Sequence, residues 1–176
     1  MRNIVVVPYD PQWQVLFEQE AEKIRSVLGD LLIEIHHIGS TSVPGLAAKP
    51  VIDMLPIVCD VALVDALNPQ FEAIGYEPMG ENGIPGRRYF RKGGVYHRSH
   101  HLHIFGQDNL IGINRHLAFR DYLRSHPDIV AEYAALKQKL ANQFPDDIMS
   151  YSDGKDAFIK RHEAIALESI KSSKPD

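Results

Sequence analysis

The spacing of apolar and polar residues near the start of the chain predicts an amphipathic helix over residues 11–28. Its apolar residues recur every three or four positions and predict one stripe for the core, formed by Trp13, Leu16, Phe17, Ala21, Ile24 and Leu28. Asp10 and Pro11 are typical of a helix start, and Gly29 is typical of a helix end. The pattern therefore defines both ends of this helix and its buried face.

Two apolar runs after this helix predict strands that are separated by a turn rich in small residues. Residues 31–38 (LLIEIHHI) predict the first strand, and residues 49–58 (KPVIDMLPIV) predict a second, more deeply buried one. Asp53 lies inside the second run, and burying a carboxylate without a partner costs several kcal/mol. Because a strand that keeps such a residue commonly uses it, Asp53 is the first candidate for a functional role.

Two further runs, residues 87–94 (RRYFRKGG) and 97–105 (HRSHHLHIF), predict antiparallel strands joined through the glycines that end the first run. A helix over residues 60–76, broken near Pro69, precedes them. Residues 3–7 (NIVVV) predict a further short strand or an extended arm, and together these runs predict one small mixed sheet.

The last third of the chain is helical in pattern over residues 114–171, with breaks at 126–127 and 144–147. We predict an α+β fold with one domain over residues 1–171, in which helices flank a small mixed β-sheet. A polar tail over residues 172–176 follows this domain.

Composition changes this picture little. The chain has 176 residues, of which 44% are hydrophobic and 24% charged, as in an ordinary soluble domain. Its net charge of -4 gives no global attraction to nucleic acid, and a single cysteine excludes a metal site built on several thiolates. No apolar run approaches the roughly 20 residues of a membrane span or forms a signal peptide. We expect a cytoplasmic protein with neither a membrane partner nor a nucleic-acid surface.

The small residues after the first strand predict a phosphate-binding turn. Gly39 allows backbone N–H groups to approach an anion, and the hydroxyls of Ser40 and Thr41 add donors. A Walker loop is excluded because Lys49 is followed by Pro50, and no G-x-G-x-x-G sequence is present. A tight turn that binds nothing explains the same residues equally well.

The order of this turn and the Asp53 strand resembles the nucleotidyltransferase superfamily. There a Gly-Ser pair binds triphosphate, and the carboxylates of an Asp-x-Asp strand hold Mg²⁺. The closer resemblance is to the GrpB family, small bacterial proteins of that fold that are also found fused to dephospho-CoA kinases. It runs through VPYDPQWQVLFEQEAEKI, HHIGSTSVPGLAAKPVIDML, HHLHIF, FRDYLRSHPDIVAEYAALKQKLA and a final Y-x3-K-x2-FI. It implies a mixed sheet of nucleotidyltransferase type.

One departure from the superfamily pattern limits the chemistry. Leu55 stands where the second carboxylate of the Asp-x-Asp strand would be. Two-metal phosphoryl transfer holds its ions roughly 4 Å apart between bridging ligands, and leucine supplies none. We therefore expect one divalent metal near Asp53, Mg²⁺ or Mn²⁺, with Zn²⁺ as the alternative.

His101 and His103 are candidates to complete a single-metal site. They alternate with apolar residues in the predicted strand and so share one face. Beside Asp53 they could coordinate one ion. A surface pair that is hydrogen-bonded to carboxylates or solvent is the other interpretation.

Basic residues supply candidates for binding phosphate. Arg88, on the strand beside the histidines, and Lys49 are candidate phosphate ligands or counter-charges for Asp53. Lys137 and Lys155 match family positions in the helical third, where the resemblance implies a base that binds triphosphate. Arg120 and Arg124 lie four apart, which predicts either an ion-pair patch or a phosphate clamp.

Three functions fit these residues. The first is a nucleotidyltransferase-like enzyme that binds a nucleotide at Gly39 and Ser40 and transfers a nucleotidyl or phosphoryl group with one metal at Asp53. The second, motivated by Leu55 and by the kinase fusions, is a nucleotide- or CoA-precursor-binding module without catalysis. The third is a hydrolase with a histidine-carboxylate metal centre. The expected partner is a small-molecule nucleotide or phosphate ligand.

Overall fold

The computed structural model describes residues 4–94 and 97–172, in which it has five strands and five α-helices. The helices are α1 (Gln12–Leu28), α2 (Asn68–Ala73), α3 (Leu110–Ser125), α4 (Pro127–Gln143) and α5 (Ile148–Ser172). The strands are β1 (Leu32–Ile38), β2 (Ile52–Val58), β3 (Tyr76–Pro78), β4 (Arg87–Lys92) and β5 (His100–Gly106). All but the first residue of the predicted polar tail lies outside the described residues.

The five strands form one mixed sheet in the order β1-β2-β5-β4-β3. β2 pairs antiparallel with β1 and parallel with β5, and β5 pairs antiparallel with β4. The α+β fold with a small mixed sheet and a helical last third is confirmed. β3 is a short strand of three residues that follows α2 directly, and Val7 forms an isolated antiparallel bridge with Ala48, as an extended arm does.

α1 packs its apolar stripe on one face of the sheet. The stripe is buried as predicted at Trp13, Phe17, Ala21, Ile24 and Leu28, whereas Leu16 is 44% exposed. At 100° per residue Leu16 lies at the edge of this face, which is why spacing alone misplaced it. Asp10 accepts a hydrogen bond from the backbone N–H of Gln12 at 2.9 Å, as a residue at a helix start does.

The predicted helix over residues 60–76 is divided differently. A 3-10 stretch over Val61–Leu67 comes first, and Pro69 then lies in the first turn of α2. Proline is tolerated there because the first backbone N–H groups of a helix have no partner within it.

The helical third has the predicted breaks, and α3 begins four residues earlier than residue 114. Asn109 explains the early start, since its side chain accepts a hydrogen bond from the N–H of Gly112 at 3.0 Å. Across the described residues, none of the helices has the length and apolarity needed to cross a bilayer.

The two faces of the sheet have different roles. Met54 of β2 and Leu102 of β5 belong to the main core with α1. Asp53 alternates with Met54 and therefore points to the opposite face, where α3 lies. Leu55 shares the face of Asp53 and is fully buried against Ile38 and other apolar residues. The position that would carry a second carboxylate is thus part of the core.

Candidate functional site

The turn after β1 brings the backbone against Asp53. Gly39 has a φ of 70°, and a Cβ there would lie 2.6 Å from Oδ2 of Asp53. Glycine is required both by the dihedral angle and by this close approach. Ser42 donates a hydrogen bond from Oγ to the carbonyl of Gly39 at 2.6 Å, which holds the turn closed. Gly39 and Ser40 therefore lie beside the carboxylate of Asp53. Residues that bind a phosphate at this site would need that position.

The hydroxyl of Thr41 is turned into the fold. Its Oγ1 donates to the carbonyl of Val51 at 3.3 Å and lies 2.9 Å from Nε2 of His37. Thr41 is 2% exposed, so its hydroxyl is already used by neighbouring protein groups. This arrangement does not favour the predicted role of Thr41 as a phosphate donor.

Two histidines of β5 hold Asp53. Nδ1 of His101 lies 2.9 Å from Oδ1 of Asp53, and Nε2 of His103 lies 3.4 Å from the same oxygen. Burial raises the pKa of Asp53, but the hydrogen bonds from both imidazoles outweigh it, so the pKa is well below its ordinary value. Asp53 is therefore an ionised acceptor between two imidazole donors.

These three residues have the spacing of a metal site. One ligand atom each from Asp53, His101 and His103 lies within 4.8 Å of the other two. One carboxylate and two imidazoles are ligands that Zn²⁺ and Mn²⁺ accept. The donor types therefore suit a single divalent ion.

A pocket of about 160 Å³, which we call the lysine pocket, opens beside Asp53. It is lined by Ser40, Thr41, Ala48, Lys49, Val51, Asp53, His101, Lys137, Tyr151 and Lys155. Three of these residues are lysines, and they come from three different segments of the chain.

Lys137 is the most unusual residue of the lysine pocket. It is 2% exposed, and within residues 4–94 and 97–172 its Nζ has no hydrogen-bond acceptor. Nζ lies 4.4 Å from the ring centroid of Tyr133. Burial, and then the charges of Lys155 and Lys49, lower the pKa of Lys137 to about 6. The fold thus buries an amine beside an aromatic ring, and this amine is largely neutral at pH 7.

Lys155 is affected in the same direction but less. Burial and the charge of Lys49 lower the pKa of Lys155 to about 8, although Asp53 opposes the change. Lys137 and Lys155 line the lysine pocket together with Lys49, whose positive charge contributes to lowering both pKa values. A polyanion would relieve this repulsion.

A larger cavity of about 400 Å³ lies on the other side of Asp53. Ser40, Asp53 and Lys155 line both cavities, so the carboxylate stands between them. The remaining walls of the larger cavity combine apolar and aromatic side chains with charged ones. They are formed by Ile38, Gly39, His103, Arg115, His116, Phe119, Arg120, Leu123, Tyr133, Ile159 and Glu163.

Arg88 does not reach either cavity. It forms a two-point ion pair with Asp65, with Nε–Oδ1 at 2.5 Å and Nη2–Oδ2 at 2.9 Å. Alternation along β4 places Arg88 and Arg87 on opposite faces of the sheet, and Arg87 is the one that meets His103. The prediction that Arg88 is a phosphate ligand or the counter-charge of Asp53 is not supported by this placement.

The arginines of α3 have a role that spacing did not reveal. Arg124 donates from Nε and Nη2 to the carbonyl of Ser42, at 3.0 and 2.8 Å. Arg120 keeps its ion pair with Asp121 at 2.8 Å and also donates to the carbonyl of His37 at 3.2 Å. Nη1 of Arg124 also lies 4.0 Å from Oδ1 of Asp121, so the two arginines form the predicted ion-pair patch and in addition brace the ends of the Gly-Ser turn.

Comparison with known proteins agrees with the fold. The chain is 51% identical over 165 residues to UPF0157 protein YqkA of Bacillus subtilis, covering 94% of this chain and 48% of YqkA. It therefore spans about half the length of that relative. A crystal structure of the conserved protein GrpB from Enterococcus faecalis matches with a TM-score of 0.91 and 51% identity, over 94% of this chain and 99% of that chain.

More distant likenesses are of two kinds. A dephospho-CoA kinase of Mycolicibacterium paratuberculosis is 27% identical over 181 residues, covering 88% of this chain and 44% of the kinase. A structure of Cid1 in complex with the UTP analogue UMPNPP reaches a TM-score of only 0.47 at 16% identity, over 85% of this chain and 48% of Cid1. A superposition of that quality carries no argument about this protein.

The match to a family model is nearly complete. The model described as GrpB protein matches residues 3–164, which include every strand, the Gly-Ser turn and all three lysines of the lysine pocket. As its sequence motifs predicted, the chain belongs to the GrpB family.

Proposed function

We propose that this protein is nucleotidyltransferase-like and binds a nucleotide through its phosphate groups in the lysine pocket. The observation that carries the proposal is the buried amine of Lys137, which has no hydrogen-bond acceptor within the described residues. A buried cation without an anionic partner is strongly unfavourable, so the pKa of Lys137 is low without a ligand, and an anion bound beside it would favour the ammonium form. Lys49 and Lys155 line the same pocket, so its charge is matched by a ligand with several negative oxygens.

The sizes of the two cavities support a divided ligand. A volume of about 160 Å³ is below the usual range for a whole small molecule and suits a chain of phosphates. The neighbouring cavity of about 400 Å³ is within that range, and its apolar and aromatic side chains suit a nucleoside or an acceptor molecule. Asp53 lies between them, where a reacting phosphate would be.

Asp53, His101 and His103 are the candidate residues for holding a divalent metal. When bound, such an ion stabilises negative charge on phosphate oxygens. The protein's own contribution is to neutralise the phosphates with lysines and to orient them against the backbone of Gly39 and Ser40. Since Leu55 is buried in the core, the proposal includes one metal and no second carboxylate ligand.

Calorimetric titration tests the binding step. ATP, GTP, CTP, UTP and pyrophosphate are titrated into the protein with and without Mg²⁺ or Mn²⁺. We expect at least one to bind, and Lys137→Met to weaken that binding about tenfold or more. Lys139→Met is the matched control, because Lys139 is exposed on the same helix. If none of these anions binds the folded wild type, the proposal is wrong.

A binding module without catalysis is the second candidate, favoured by Leu55 and by the likeness to a dephospho-CoA kinase. Mass spectrometry of the products, after incubation with each bound nucleotide, separates the two. A new nucleotidyl or phosphoryl adduct supports the transferase. Binding of dephospho-CoA with no product from any nucleotide supports the module.

A further inference from the structure

We infer that Arg87 holds His103 in the tautomer whose Nε2, the nitrogen beside Asp53, carries a proton and cannot ligate a metal there, so that Arg87 lowers the metal affinity of the Asp53 site. The inference deepens the metal part of the proposed function and rests on it. The hydrogen bonds that carry it involve no nucleotide, so the two can fail separately.

The tautomer follows from the donors that surround the ring. Nη1 of Arg87 lies 3.3 Å from Nδ1 of His103 in hydrogen-bonding geometry. A guanidinium group has donors only, so Nδ1 of His103 must be the acceptor. A neutral imidazole that accepts at Nδ1 carries its proton on Nε2. That proton is directed to Asp53, whose Oδ1 lies 3.4 Å from Nε2.

Arg87 is fixed in this position. Arg87 is 5% exposed. It donates a hydrogen bond from Nε to the carbonyl of Glu81 at 3.2 Å and another from Nη2 to the carbonyl of Asn82 at 2.8 Å. Its guanidinium carbon lies 4.8 Å from the ring centroid of Tyr89. Three hydrogen bonds and an aromatic contact oppose a rotation away from His103.

This arrangement is the reverse of the usual surroundings of a metal ligand. A histidine that ligates a metal almost always donates its other N–H to a carboxylate, a carbonyl or water. If Nε2 of His103 bound a metal, its Nδ1 would carry the proton and would face an N–H of Arg87. Two donors would then oppose each other in a buried place. The metal would be held by Asp53 and His101 unless Arg87 moved.

Asp53 and His101 would then be the two protein ligands. A site with two protein ligands suits a metal ion that binds together with the phosphates of its substrate. Mg²⁺ is commonly bound by one or two carboxylates together with substrate phosphates, and it keeps several waters. A resident Zn²⁺ ion needs three or four protein ligands. Arg87 therefore separates the transferase and hydrolase hypotheses, and it disfavours the hydrolase.

Two substitutions at Arg87 test the inference by metal titration alone. Arg87→Gln supplies an amide oxygen that can accept a proton from Nδ1 of His103, whereas Arg87→Lys still supplies donors only. With Mn²⁺ or Zn²⁺ titrated in the absence of nucleotide, we expect Arg87→Gln to bind about tenfold tighter than the wild type. We expect Arg87→Lys to stay close to the wild type. Equal affinities for wild type and Arg87→Gln, both folded, would overturn the inference.

Nitrogen NMR of the metal-free wild type reads the tautomer directly and remains decisive if Arg87→Gln does not fold. Long-range proton-nitrogen spectra of labelled histidine should show His103 protonated on Nε2. A proton on Nδ1 of His103 would contradict the inference, whatever the protein does with nucleotides. Absence of nucleotide binding with the Nε2 tautomer present would overturn only the proposed function.

Discussion

Replacing Lys137 by methionine should stabilise the folded protein while it removes the proposed ligand's main contact. Methionine is close to lysine in length and carries no charge. At pH 7 the unfolded chain protonates Lys137, whose ordinary pKa is 10.5, whereas burial lowers the pKa in the fold to about 6. Releasing that proton on folding costs about 5 kcal/mol at 1.36 kcal/mol per pH unit. Methionine removes this cost, and because the folded amine is largely neutral at pH 7, there is no cation–π attraction to Tyr133 for methionine to lose.

The net expectation is a gain of about 5 kcal/mol in the free energy of unfolding at pH 7. For a chain of this length it raises Tm by about 10–20 °C. The gain has a defined pH dependence, because the folded pKa lies below the unfolded one. Below pH 6 both states of the wild type are protonated and the penalty is complete; it decreases as pH rises from about 6 to 10.5 and is then gone.

Urea unfolding at several pH values, with Lys139→Met as the exposed control, measures this gain. We expect the advantage of Lys137→Met over the wild type to decrease from pH 6 to pH 10 and the control to show no such trend. A Lys137→Met protein that is less stable than the wild type at pH 7 would show that the ammonium group is compensated in the fold. The main support for an anion in the lysine pocket would then be lost.

Three further changes test the remaining parts of the site. Gly39→Ala should lower the free energy of unfolding by about 1–3 kcal/mol and displace Asp53, because its Cβ would meet Oδ2 at 2.6 Å in a left-handed backbone; urea unfolding and a crystal structure check this. Asp53→Asn should cost about 1–3 kcal/mol at pH 7, because two imidazoles lose an ionised acceptor. Since the folded pKa of Asp53 is lowered, this difference should persist above the ordinary value of 3.8 and decrease as pH falls from 3.8 toward the lowered folded pKa in an acid titration. Arg88→Ala should cost at most about 1 kcal/mol in thermal melts and leave nucleotide titrations unchanged, since Arg88 pairs with partly exposed Asp65; a loss of binding would contradict its placement.

Periodicity predicted the elements and the faces on which residues lie. Two conditions bring the candidate metal ligands Asp53, His101 and His103 together. Strand alternation puts both histidines on one face of β5, and this could be read from the sequence. The pairing of β2 with β5 could not. Which of Arg87 and Arg88 lies near the Asp53 site also depended on how the strands pair. Alternation places the two arginines on opposite faces of β4, but it does not tell which of these faces is the one on which Asp53 lies.

Burial of polar groups was the property that the sequence predicted least well. Lys137 follows Tyr133 by four residues and precedes Leu140 by three, so its spacing already placed it on the buried face of α4. Because lysine is rarely buried in proteins, the spacing of Lys137 was not enough to predict its burial. The contacts of Arg120 and Arg124 with backbone carbonyls had no signal at all, because they depend on how α3 docks on the turn.

The lysine pocket joins parts of the chain that are far apart in sequence. Ser40 and Lys49 come from the first third of the chain, while Lys137 and Lys155 come from α4 and α5. A growing chain therefore cannot form the pocket until its last helices have docked on the sheet. A ligand that spans the pocket would bind only the docked state and would slow the opening of α4 and α5, so amide exchange in these helices should report on occupancy. For this protein, completion of folding and competence to bind would be the same event.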